Sequence, residues 1–272
     1  MSVRPATEPR TLAPPERRVA EIAANEPVGA YSLLTAVDAT GPPDPAPGQF
    51  YMLSTVERWG GEDGRPYLPR AFSFARARPA PGGGAELDFL LEEIGPGTRR
   101  LGELRVGEGL RLVGPLGQGF RQASGRRLLV GGGIGVAPLL CLSDVLGADT
   151  RVLLGFRSAA HAEAAGLFAG EPALATDDGS AGRAGLVTDL LGEQLEEESS
   201  AAVFACGPPA MLEAVRALCA NLGVPAQLAL ESGMACGFGA CMGCVVQTRE
   251  GYVRVCVDGP VIDADRLAPQ VA

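Results

Sequence analysis

Near the carboxyl end of the chain, Cys236, Cys241, Cys244 and Cys256 stand at the spacing C-x4-C-x2-C-x11-C. No other feature narrows the possible folds as much. The intervals match a plant-type [2Fe–2S] centre, in which four thiolates hold two irons. The residues between them agree, because Gly237, Gly239 and Gly243 in ACGFGACMGC let the backbone wrap closely with its N–H groups turned inward, where side chains would obstruct. A structural zinc site is the plainer alternative. Such sites usually take two short cysteine pairs, and the five-residue step from Cys236 to Cys241 suits them poorly. The seven cysteines are an odd number, which fits a reducing compartment where thiolates hold metal rather than form disulfides. Cys141 and Cys219 fall on apolar faces of predicted helices, where a free thiol behaves as a small buried hydrophobe. Cys206 differs, because it closes an apolar run and opens the turn CGPPAM, a place where α/β sheets commonly put ligand contacts.

Composition removes several rival chemistries. The 272 residues contain no lysine, so 23 arginines carry the positive charge, and neither a Walker lysine nor a Schiff-base lysine is available. With His161 as the one histidine, histidine-rich zinc sites, c-type haem and a serine or cysteine triad are disfavoured. A net charge of −9 argues against nucleic acid as a partner. No apolar stretch approaches the roughly 20 residues of a membrane span. Residues 1–15 are rich in Pro, Arg and Thr and lack a signal-peptide core, which predicts a disordered tail on a cytoplasmic protein.

The remainder divides by texture, into a predicted barrel over 16–122, an α/β domain over 123–223 and a cysteine module over 224–272. From Arg17 to Phe120, short apolar runs separated by Gly/Pro turns (29–37, 50–55, 71–75, 86–91 and 109–113) predict an antiparallel β-barrel. One helix is expected after Thr98. From Arg126 onward, strands at 128–130, 151–155 and 203–205 alternate with helices, the last of them over 210–222, which predicts a parallel sheet. A short strand over 227–230 then leads into the cysteines.

Two further segments carry chemistry. LLVGGGIGVAPLL reads as a strand, a glycine turn and a helix opening with Pro138, a geometry that sets backbone amides against a pyrophosphate. Its match is to GxGxxP through Gly133, Gly135 and Pro138, with Val136 where a third glycine would stand; a tight turn with no nucleotide is the bland reading. RAFSF puts Arg70 and Ser73 on a predicted strand, where the arginine is either a phosphate partner or one more surface cation. GPGTRRL places Gly97 and Thr98 at a helix start, another anion-binding geometry.

The motifs PGQF, RAFS, GPGT, GPLGQGF, GGGIGVAP, TDDGS, ACGPPAM and CVDGPV occur in this order, and by them the chain resembles the ferredoxin-reductase-like family. With the cysteine tail it is similar to the electron-transfer subunits of class 1B dihydroorotate dehydrogenases. That resemblance implies a flavin barrel, a nicotinamide domain and a [2Fe–2S] module, with FAD and NAD as the other cofactors. It assigns FAD to Arg70, Ala71, Phe72, Ser73, Gly97 and Thr98, and NAD to Gly133, Gly135, Pro138, Gly207 and, less firmly, Asp177. The cluster falls to Cys236, Cys241, Cys244 and Cys256. Cys206 either borders the nicotinamide ring or is a packed strand-end thiol.

The partner implied is an FMN-containing dihydroorotate dehydrogenase subunit, two of each forming a heterotetramer. Electrons from dihydroorotate would pass from FMN through the cluster and FAD to NAD⁺, flavin being the converter between hydride and single electrons. Other readings are an NAD(P)H-linked reductase subunit of a hydrogenase, sulfide dehydrogenase or transhydrogenase complex, and a redox-sensing module. Two departures stand out. Ala71 replaces the proline usual after the flavin arginine, and Arg157 leaves the choice between NAD and NADP open. His161 lies in an alanine-rich segment of ordinary helix character and no base is aimed at a carbon acid, so the substrate is expected to be oxidised elsewhere. Met234, Phe238 and Met242 either form a docking surface round the cluster or pack beneath its loop.

Overall fold

The structure, a computed structural model, describes residues 16–60, 66–123, 125–147, 150–197 and 200–268; the tail expected over 1–15 lies outside the described residues. Its first part contains β1 (Arg17–Val28), β2 (Tyr31–Asp38), β3 (Phe50–Thr55), β4 (Arg70–Ser73), β5 (Arg76–Pro79), β6 (Ala85–Leu91), α1 (Pro96–Gly102) and β7 (Gly109–Leu116). These strands form one antiparallel sheet in the order β4-β3-β7-β1-β2-β6-β5. Alternation explains which face is inside: along β1, Arg18, Ala20 and Ile22 are buried between exposed neighbours, as the period of two requires. Tyr51 on β3 meets Phe89 on β6 edge to face with ring centroids 5.8 Å apart, although β7, β1 and β2 lie between their strands. The sheet therefore curls round a single core that includes Ile22, Leu34, Leu53, Phe74 and Leu112, each such side chain contributing about 1.5–3 kcal/mol by leaving water. The charge of Arg18 is matched inside by Asp38 at 2.9 Å and by the carbonyl of Gly114 at 2.6 Å.

The second part contains β8 (Arg127–Gly132), α2 (Val136–Leu146), β9 (Thr150–Phe156), α3 (Ala159–Ala162), β10 (Ala173–Thr176), β11 (Arg183–Ala184), α4 (Val187–Glu197), β12 (Ala202–Cys206), α5 (Pro209–Leu222) and β13 (Ala226–Ala229). Six of these strands are parallel, in the order β11-β10-β9-β8-β12-β13. The order reverses between β8 and β12, and a crevice outside the carboxyl ends of such a pair is where open α/β sheets bind ligands. After Ala229 the chain leaves the sheet, passes through the cysteine loop, the hairpin β14 (Val245–Thr248) and β15 (Gly251–Arg254) and the single turn α6 (Val255–Asp258). It then returns as β16 (Val261–Asp263), antiparallel to β13 at the sheet edge.

The expected boundary at 223/224 thus falls inside the sheet, because β13 pairs with β12. β1 and β5 were not anticipated as strands. β1 carries Ala, Glu and Asn, residues poor in strand preference, and β5 is four residues reading RARP; only the neighbouring strands make either one extended. Pro138 does not open α2 but is its third residue, following a 3-10 turn over Gly133–Gly135, still within the first turn where no N–H is needed.

Candidate functional site

A cleft of about 280 Å³ lies between the curled sheet, the glycine turn after β8 and the segment leaving β13. Arg70, Ala71, Phe72 and Ser73 line it from β4, Thr98 from α1, Gly135 from the glycine turn, Pro138 from the first turn of α2, and Cys206 from the end of β12. Strand pairing fixes the first group, with Ser73 opposite Phe50 and Arg70 opposite Leu53 on β3. The Arg70 guanidinium lies over the Trp59 ring, 5.9 Å from its centroid, and donates to the Leu68 carbonyl at 2.5 Å. A Cβ on Gly97 would come 2.6 Å from Arg70 Nε, so Gly97 stands behind the site and makes room for the arginine. The Thr98 hydroxyl accepts the N–H groups of Ile94 and Gly95 at 3.0 Å, which shapes the entry to α1.

Gly135 and Gly207 also act by close approach. A Cβ on Gly135 would meet the Gly207 backbone at 2.6 Å, so only glycine lets the turns after β8 and β12 touch. Beside them the thiol of Cys206 is buried, and burial together with the charge of Glu231 pushes its pKa well above the usual thiol range; it stands as a neutral S–H at neutral pH. Glu231 was missed by the sequence reading. Burial raises its carboxyl above the ordinary value, and it is the one acidic residue in the run from Ala226 to Ala240, which was the available signal.

A second cleft, of about 670 Å³, is lined by Gly133, Gly155, Arg157, His161, Asp177 and Thr188. The two clefts share Glu92, Ile94, Ile134 and Glu231 and so are continuous. Asp177 is carried to the rim because its N–H donates to the Phe156 carbonyl at 3.0 Å, tying the end of β10 to that of β9. The next carboxylate, Asp178, accepts the backbone N–H and hydroxyl of Ser180, which holds it below the usual carboxylate range. Arg157 donates to Glu92 at 2.6 Å and touches His161 Nε2 at 2.8 Å. His161 is not an ordinary helix residue: α3 is a single turn, and the ring meets Tyr31 edge-on at 5.5 Å.

The contacts of the four expected ligand thiols join them as two pairs, Cys236 with Cys241 and Cys244 with Cys256, and among the described residues no three of them form a ready-made metal-holding group. Cys241 N–H points at Cys236 Sγ, Gly243 N–H at Cys241 Sγ and Cys256 N–H at Cys244 Sγ, each at 3.4 Å. Burial alone would raise the Cys236 thiol, but N–H groups of Cys241, Phe238 and Ala240 and the Cys241 thiol outweigh it and bring it down to about 6. The neighbouring Cys256 is pushed up to about 12 by burial and by Cys244. Gly237 and Gly239 have φ of 80° and 89°; a Cβ on the first would lie 2.4 Å from Met52 Cγ and on the second 2.6 Å from Val257 Cγ2. A set of thiol donors with inward N–H groups and no imidazole suits an iron–sulfur cluster.

Cys244 and Cys256 are buried in one apolar cluster with Phe50, Met52 and Leu116, against which Met234 packs. Phe50 and Met234 also line the first cleft. The three residues round the cluster therefore separate: Met234 packs inward, whereas Phe238 and Met242 are 46% and 57% exposed. Cys141 and Cys219 are buried thiols pushed up to about 12 chiefly by burial, as expected of inert positions.

Residues 231–268 match the iron-sulfur cluster binding domain of dihydroorotate dehydrogenase B. A protein of Caldanaerobacter subterraneus subsp. tengcongensis called dihydroorotate dehydrogenase B (NAD(+)), electron transfer subunit, is 37% identical over 229 residues, 82% of this chain and 87% of the relative. One of the same name from Geobacillus thermodenitrificans is 38% identical over 233 residues, 81% of this chain and 86% of the relative. Among solved structures, an NADH-dependent reduced ferredoxin-NADP oxidoreductase superposes with a TM-score of 0.76 at 24% identity, covering 92% of this chain and 90% of the other. The ferredoxin reductase of carbazole 1,9a-dioxygenase does so at 0.67 and 23%, covering 80% and 70%. These two likenesses bear on the fold.

Proposed function

Because the chain belongs to the family of dihydroorotate dehydrogenase B (NAD(+)) electron transfer subunits, we propose that it carries electrons from a separate dihydroorotate-oxidising, FMN-containing subunit to NAD⁺ in pyrimidine biosynthesis. The observation that carries this reading is the continuity of the two clefts at Glu92, Ile94, Ile134 and Glu231, with the thiol cluster joined to the first cleft through Phe50 and Met234. Between a hydride carrier and a one-electron cluster, bound FAD supplies the required two-electron to one-electron conversion.

The remaining roles belong to the side chains. Arg70, Ala71, Phe72, Ser73 and Thr98 hold the flavin in the first cleft, Arg70 as the charge-assisted phosphate partner, and Gly97 leaves room for that arginine. Gly133 and Asp177 take NAD in the second cleft, where two carboxylates at the end of β10 disfavour a 2′-phosphate. Gly135, Pro138 and Gly207 keep the turn between the clefts narrow enough for a nicotinamide ring to reach the flavin. Cys206 and Glu231 border that junction, the first as a neutral thiol and the second as a carboxyl that burial holds above its ordinary pKa. Cys236, Cys241, Cys244 and Cys256 hold the cluster. We read 16–122 as the flavin domain and the sheet through β13 and β16 as the nicotinamide domain. No helix among the described residues is long and apolar enough to cross a membrane, and we place the protein in the cytoplasm as a heterotetramer of two subunits of each kind.

The test is reconstitution. Alone, the anaerobically purified protein should carry one FAD and about two irons and two sulfides, and reduce artificial acceptors with NADH while failing to oxidise dihydroorotate. Adding the FMN subunit should confer dihydroorotate-dependent NAD⁺ reduction. Association with a hydrogenase or sulfide dehydrogenase subunit instead would overturn the assignment.

A further inference from the structure

Among the described residues lining the second cleft, Arg157 carries the only permanent positive charge. In a site for a phosphate-bearing dinucleotide, a guanidinium is the natural anchor, yet this one is already engaged from the opposite domain. Arg157 Nη2 donates to Glu92 Oε1 at 2.6 Å, and the same carboxylate oxygen lies 3.5 Å from His161 Nε2. His161 is itself held by the Ser158 hydroxyl at 2.9 Å from Nδ1. The two partners differ in freedom: the Glu92 side chain is 22% exposed and that of Arg157 66%. The carboxylate is the fixed member, seated where the chain passes from β6 to α1, and the arginine is the arm that can swing. Beside them the Tyr31 hydroxyl, on a side chain only 3% exposed, faces the same cleft with no hydrogen-bond partner among the described residues, a second donor near Arg157.

We propose that Glu92 competes with coenzyme phosphate for Arg157 and so weakens coenzyme binding at this point. Its carboxylate presents to the guanidinium the same planar, negatively charged oxygens that a phosphate would, so a dinucleotide must displace Glu92 to gain the contact. An internal carboxylate weakens phosphate binding at this point whether the group is the diphosphate or an added 2′-phosphate. Arg157, which by sequence alone argues for the 2′-phosphorylated coenzyme, is thereby withheld from it. The proposal rests on reading the second cleft as the nicotinamide coenzyme site.

Calorimetric binding of ADP-ribose and of 2′-phospho-ADP-ribose to the flavin- and cluster-loaded protein tests it without turnover. Removing an exposed competing ion pair, as in Glu92→Gln, should lower Kd about two- to fivefold, less at high salt. A gain for both ligands identifies the diphosphate as the displaced group's rival, and a gain for the 2′-phosphorylated ligand alone identifies the 2′-phosphate. In Glu92→Gln combined with Arg157→Ala the gain should vanish. Unchanged or weaker binding of both ligands by Glu92→Gln overturns the proposal, as does a gain that survives in the double variant, which would reflect only lost negative charge. If the wild-type protein binds neither ligand, the coenzyme reading of the cleft falls and takes this inference with it.

Discussion

Arg70 illustrates how one side chain is positioned by several weak constraints. It sits on an edge strand, over Trp59 and against the open face of Gly97. Arg70→Ala should remove a charge-assisted contact worth about 1.5–3 kcal/mol and weaken flavin about ten- to a hundredfold, measured by flavin retention through gel filtration. The cysteines divide by environment. Serine at Cys236, Cys241, Cys244 or Cys256 should abolish the cluster, read as iron and sulfide content, whereas Cys141→Ser and Cys219→Ser should retain it, their thiols being buried packing groups. Glu231 supplies a pH test. Burial raises its folded pKa, so the folded state binds the proton more tightly and loses stability as pH rises through that raised value. Below the unfolded value of about 4.3 both states are protonated and the penalty is absent. Glu231→Gln should therefore melt above wild type at pH 7–8 and converge with it in acid, as followed by thermal denaturation across pH.

Among the elements, β3 joins the two redox sites. Its residue Phe50 faces both the first cleft and the thiol cluster, and Met52 lies directly under Gly237. The loop can close on β3 only where no Cβ intervenes, and Gly237 combines that contact with a φ of 80°. Gly237→Ala should thus lower cluster occupancy sharply while flavin content holds, because strain and a clash with Met52 at 2.4 Å act on the loop and leave β4 untouched. The hairpin between β1 and β2 shows the same device between domains. Gly29 has a φ of +57° and a Cβ there would meet the Ala160 carbonyl at 2.0 Å, while Ala30 N–H donates to that oxygen at 2.9 Å.

For the whole molecule, Phe238, Met242 and Tyr252 are exposed apolar side chains on the cluster module, where electrons enter from another protein. Met242 holds a φ of 58°, a conformation that asparagine tolerates better than methionine. Met242→Asn together with Phe238→Ser should leave the loop folded, with iron content unchanged, and weaken association with the FMN subunit at least about tenfold, given the weight that central apolar anchors carry at interfaces; unchanged affinity would place docking elsewhere. The sequence by itself determined the three-part order, the cysteine-rich module and the glycine turn, because thiol spacing, period-two alternation and strand–glycine–helix runs are local patterns that short-range physics imposes. Only the tertiary structure decided that β13 extends the parallel sheet and β16 closes its edge antiparallel, that Glu231 and His161 face the clefts, and that Glu92 reaches Arg157. Those relations depend on partners far apart in the chain, 65 residues in the last case, and neither residue carries a local mark of the other.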